Sequence, residues 1–221
     1  MKVSVLDYLY ESSRVKGSDS VDAKSIRVVK PAPTIVEQVM PSRSNIPAGM
    51  LGEHFSDAEF LDSSTARSLG INNTFDSTKH RQNAINLVVK VLDPLRELLG
   101  RPIRITSGYR NGELLDAMLK KYGAGQVSKT SDHRFGKSAD ISVAGMKAEE
   151  LAAFILKCGL PFDQLIWYSP ARGGHVHISY RSPSENRKMV GYAWSKPEKV
   201  SAGGSTYADW SRRPNDGRVY A

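Results

Sequence analysis

Two short stretches hold most of the residues that could do chemistry. "TSDHRFGKSADIS", Thr130 to Ser142, contains His133 and Asp140, and "GGHVHISY", Gly173 to Tyr180, contains His175 and His177. The chain has only five histidines, and three of them fall here. Two imidazole nitrogens and one carboxylate oxygen, with one position left open, form the ligand set of a catalytic zinc. Water bound at such a site loses a proton near neutral pH, and the metal polarises a carbonyl. His133 and Asp140 with one imidazole of the later pair would complete the set. The ordinary alternative for "HVH" is a partly buried pair without a metal.

The spacing indicates what must position these groups. Asp140 follows His133 at a spacing of seven, with Gly136 between them. That pattern suits a loop leading into a strand, with Gly136 letting the backbone fold so that the two side chains converge. His175 and His177 are two apart, so on a strand they share one face while Val176 and Ile178 face the core. A polar pair on one side of an otherwise apolar strand suits the floor of a cleft.

The rest of the chain supplies candidate supporting elements. Ser56 and Glu59 in "SDAEF" have capping-box spacing and predict a helix that stops near Gly70. A longer helix is expected from about Thr78 to Leu99, with Ile85, Val88, Val89, Leu92, Leu95 and Leu99 on one face. Pro94 should kink or divide it, and Gly100 should end it. "PIRITSGYR" reads as a strand with Ile103 and Ile105 on one face. A helix from about Glu113 to Tyr122, the strand "SADISV" and the amphipathic helix "KAEELAAFILKCG" follow. "FDQLIWYS" and "GGHVHISY" then form an antiparallel hairpin joined by "PARG". This order predicts an α+β fold, a small and mainly antiparallel sheet with helices packed on one side.

Composition narrows the possibilities. Among 221 residues, 40% are hydrophobic and 24% charged, as in an ordinary soluble domain with flanking segments. The one cysteine, Cys158, excludes an intrachain disulfide and a thiolate zinc site. No run approaches the ~18 apolar residues of a membrane span. Asp7 and Glu11 interrupt the start, so no secretory signal is expected. The expected organisation is an extended, proline-punctuated arm over 1–52, a folded domain over 53–182, and a basic Ser/Gly/Arg-rich tail over 183–221. Residues 181–221 carry eight Lys/Arg against four Asp/Glu, about half of the net charge of +8. The tail has no nucleic-acid recognition motif, so nucleic acid is not an expected partner. Tyr207, Trp210 and Tyr220 could pin it to the domain or to a partner.

On these motifs the chain resembles the zinc D-alanyl-D-alanine carboxypeptidases and L-alanyl-D-glutamate endopeptidases of the hedgehog/DD-peptidase fold. Their pattern Ser-x-His-x-x-Gly-x-Ala-x-Asp is met by Ser131, His133, Gly136 and Asp140, with Ser138 in the alanine slot. "SGYR", Ser107 to Arg110, and "VHIS" are further shared features. The frame "HFSDAEF…LDPLRELLGRPIRITSGYR…FDQLIWY…VHISY" is most similar to the phage-associated branch and covers about Glu53 to Arg181. The resemblance implies zinc bound by His133, Asp140 and His177. It implies Arg110 stabilising an oxyanion or a substrate carboxylate, and Ser131 contacting substrate. Tyr109 and Trp167 read as cleft wall or core, and Tyr109 is taken with Ser131 as a substrate contact. The implied reaction is hydrolysis of peptide bonds in peptidoglycan stem peptides.

One position departs from the pattern. The phage-like branch carries a glutamate directly after the "QLIW" strand, as the base that activates water, and this chain has Tyr168 there. No Asp or Glu occurs between Asp163 and His177. His175, which replaces a frequent tryptophan, is the nearest substitute as base or alternative ligand. Two expectations follow. One is a phage or prophage lysin, held in the virion or host cytoplasm before it reaches the cell wall. The other is a weak or inactive zinc-binding relative with a structural role in a virion or envelope assembly, reached through its arm and tail.

Overall fold

A computed structural model describes residues 46–123 and 127–193. Its centre is a five-stranded sheet: β1 (Arg104–Ser107), β2 (Ser138–Ser142), β3 (Gln164–Tyr168), β4 (Val176–Ser179) and β5 (Met189–Ala193). The strand order is β1-β2-β4-β3-β5. All neighbours are antiparallel except β3 and β5, which run parallel. The expected α+β architecture is therefore present, and the β3–β4 hairpin forms as the sequence predicts.

Alternation gives the sheet two different faces. Ala139 and Ile141 of β2, Leu165 of β3, and Val176 and Ile178 of β4 are buried in one apolar cluster with helix residues such as Leu87, Leu92, Leu151 and Ile155. The opposite face carries the register row Asp140–His177–Ile166. One face thus supplies the core and the other holds the polar groups.

The α-helices among the described residues are α1 (Asp57–Leu61), α2 (Ser64–Leu69), α3 (Thr78–Leu87), α4 (Asp93–Leu99), α5 (Gly112–Tyr122) and α6 (Ala148–Cys158). The single helix expected from Ser56 to Gly70 is two. The Ser56–Glu59 capping box starts α1 as predicted, but Asp62 is extended and the Ser63 side chain accepts from the Ala66 amide to start α2. A short polar side chain competing for the backbone ended the first helix early. The long helix is interrupted by a π-turn over Val88–Leu92. Pro94 has no amide hydrogen for the Lys90 carbonyl and its ring crowds that group, so the ladder widens one turn upstream of the proline.

Two boundaries also differ from the sequence reading. Leu51 is fully buried and Met50 bridges Ser56, so part of the proposed arm packs on the domain. Residues 189–193, assigned to the tail, form the edge strand β5. Their apolar signal is only one short run, and β3 provides the pairing edge that orders it. The remainder of the arm and tail, including Tyr207, Trp210 and Tyr220, lies outside the described residues. Among those residues, no helix is long and apolar enough to cross a membrane.

Candidate metal centre

The first candidate ligand sits on a short 3-10 turn, Asp132–Phe135, that closes at Gly136. Gly136 has φ +69°, and a Cβ there would lie 2.3 Å from the His80 carbonyl oxygen. Only glycine lets the turn press against α3 and re-enter β2 two residues later. His133 donates from Nδ1 to the Gly108 carbonyl at 2.6 Å. That bond leaves Nε2 as the nitrogen with a free lone pair, 3.3 Å from Asp140 Oδ1.

Asp140 and His177 come from adjacent strands and are direct register partners. His177 Nδ1 lies 2.9 Å from the same Asp140 Oδ1. The rings of His133 and His177 are 5.1 Å apart at their centroids. One ligand atom from each of His133, Asp140 and His177 lies within 4.8 Å of the others, and all three residues are buried. His175 is beside this cluster rather than in it, with Nε2 3.9 Å from Asp140 Oδ2.

A β-bulge aligns the neighbouring strand with the site. Ile105 pairs with Ile141, but Ser107 rather than Thr106 pairs with Asp140. The extra residue brings Ser107 level with the carboxylate. Arg110 Nη2 donates to Ser107 Oγ at 2.9 Å and lies 3.7 Å from Asp140 Oδ2. The Arg110 amide also donates to the His133 carbonyl, linking the "SGYR" segment to the ligand turn.

Electrostatics suit a cation. Burial opposes ionisation of Asp140, yet His133 and His177 outweigh it and hold the carboxyl well below its ordinary range. Burial, then Arg110, lowers His133, so its imidazole is neutral at pH 7. Burial likewise lowers His175, with Asp140 opposing it. Two imidazoles and an ionised carboxylate, buried and converging, are a donor set that fits a divalent zinc-like ion.

The other expected site residues divide. Ser131 is half-buried and opens the 3-10 turn, and its side chain does not cap that turn. Tyr109 requires a correction. It is 1% exposed, and its hydroxyl meets His80 Nδ1 at 2.7 Å, Arg134 Nη1 at 3.2 Å and the Asp76 amide at 3.2 Å. A side chain so enclosed offers no surface to a substrate; it braces the wall behind the site. The Gly108 carbonyl was missed because a backbone acceptor leaves no signal in residue type.

Comparison with known proteins adds one finding. The Peptidase M15 family model matches residues 53–179. No curated protein matches the chain. The matched segment covers more than half of the sequence and contains His133, Asp140, His177, Arg110 and four of the five strands. The chain therefore belongs to the Peptidase M15 family, a family of metallopeptidases.

Proposed function

We propose that this chain is a zinc-dependent peptidase that hydrolyses peptide bonds in the stem peptides of peptidoglycan. The observation that carries the reading is the buried His133–Asp140–His177 cluster inside the family-matched segment. These three residues would hold zinc, which when bound supplies a Lewis acid and an acidified water.

The chain's own groups supply the rest. Arg110, steadied by Ser107, presents a fixed cation to developing negative charge or to a substrate carboxylate. His175 is neutral at pH 7 and borders the cluster, so it can accept a proton in place of the absent glutamate. Ser131, at the head of the ligand turn, is the proposed substrate contact. A phage or prophage lysin is the biological setting that this chemistry suits, acting in the cell wall after release from the virion or host cytoplasm.

A second reading has its own observation. Tyr168, not a carboxylate, occupies the glutamate slot and stacks on His175. A metal-binding domain with little turnover, serving a virion or envelope assembly, would tolerate that change.

The test is to measure zinc content, then incubate the protein with purified cell wall and assay new amino groups. Cleavage that is lost on chelation and in His177→Ala supports the peptidase. Stoichiometric zinc without cleavage supports the second reading, and absence of zinc sinks both.

A further inference from the structure

Four charged residues form a junction behind the ligand turn. Arg181 Nη2 donates to both Asp132 carboxylate oxygens, at 3.0 and 3.3 Å. Its Nε donates to Asp163 Oδ2 at 2.9 Å. Arg187 closes the group, giving Nε and its backbone amide to Asp163 Oδ1, each at 2.8 Å, and Nη2 to Oδ2 at 2.6 Å. The side chain of Asp163 is fully buried and that of Asp132 is 8% exposed.

Asp132 immediately precedes His133. Its carbonyl accepts from the Lys137 amide, and the Lys137 carbonyl accepts from the Tyr180 amide, so the turn is tied to the end of β4 by backbone as well. The Asp163 carbonyl accepts from the Met189 amide at the start of β5. The junction thus joins the ligand turn, the end of β4, the start of β3 and the approach to β5. Two arginines balance two aspartates, and the bidentate pairing fixes direction as well as distance. Such a junction resists movement of any one arm, because displacing it strands a buried charge.

From this geometry we infer that Arg181 is a positioning residue for the metal centre, holding His133 at ligand distance through Asp132, with Arg187 and residues 181–193 as its support. Both arginines lie beyond the segment matched by the family model. The inference rests on the metal-binding reading of His133, Asp140 and His177.

The test uses the full chain loaded with Co2+, whose visible ligand-field bands report ligand geometry, together with zinc affinity measured by chelator competition. Arg181→Met and Asp132→Asn should each weaken zinc binding about 10- to 100-fold, the usual effect of losing an outer-shell partner. Each should also shift the Co2+ bands, and Arg181→Lys should recover part of both changes. Leu95→Ala, a core change that lowers stability, should leave affinity and bands as in the parent. If the parent binds metal and Arg181→Met or Asp132→Asn binds it with the same affinity and bands, the positioning role fails alone. A parent that takes up no metal overturns the metal-binding reading and this inference together. If Arg181→Met does not fold, Asp132→Asn and Arg181→Lys decide the question.

Discussion

The imidazole of His175 lies flat on the phenol ring of Tyr168, with centroids 4.3 Å apart and planes 19° apart. The two are cross-strand neighbours, and the Tyr168 amide donates to the His175 carbonyl at 2.9 Å. The Arg172 guanidinium sits 5.8 Å from the Tyr168 ring centroid. The stack sets the ring plane of His175 and keeps it beside Asp140 instead of letting it turn to solvent.

If His175 is the proton acceptor, His175→Ala should keep its zinc and lose about 10²- to 10⁴-fold in kcat, the usual contribution of a general base. Metal content and steady-state rates on cell-wall peptides check this. Near-parent kcat in a zinc-loaded variant would remove His175 from the mechanism.

Gly136→Ala should damage the site without touching a ligand. The new Cβ would meet the His80 carbonyl at 2.3 Å in a left-handed conformation. Strain of this kind costs about 1–3 kcal/mol. Denaturant melts should report that loss, and zinc affinity should fall with it because the turn carries His133.

Ser138→Ala should go the other way. The Ser138 hydroxyl is fully buried and has no hydrogen-bond partner among the described residues. An unsatisfied buried polar group costs about 1–3 kcal/mol, so replacing it by a methyl should be neutral or stabilising. A clear fall in melting temperature would show that the hydroxyl has a partner, such as an ordered water.

Asp163 gives a pH dependence. Burial would raise its pKa, but hydrogen bonds from Arg187 and Arg181 overcome that and hold it at about 2, below the ordinary 3.8. A folded pKa below the unfolded value means that the stabilisation is complete above about pH 4. It is lost as pH falls through about 2. The displacement corresponds to about 2 kcal/mol. The stability gap between the parent and Asp163→Asn, measured by urea unfolding, should therefore be wide at pH 6 and narrow sharply near pH 2.

Most elements near the site were legible because they follow local rules. The β3–β4 hairpin follows from alternation and the Gly-rich turn, and α5, expected from about Glu113, runs from Gly112 behind an N-cap Asn111 whose side chain accepts from the Leu114 amide. The split at Asp62–Ser63 was less legible, since a capping serine within a helix-like run looks like any polar residue. β5 was illegible for another reason. A five-residue edge strand is ordered by its neighbour, and that neighbour lies some twenty residues away in sequence.

The sequence by itself determined the chemical alphabet of the site. Residue type limits possible metal ligands to imidazole and carboxylate. The period of two puts His175 and His177 on one face, and glycine at 136 permits the tight turn. Tertiary structure decided which of these groups meet. Strand register set His177 opposite Asp140 and left His175 at the margin, stacked on Tyr168. Packing enclosed Tyr109, and it drew Asp132, Asp163, Arg181 and Arg187 into one junction. Spacing along a chain constrains only the local backbone, whereas ligand distances and buried ion pairs depend on how separate strands and loops are brought together.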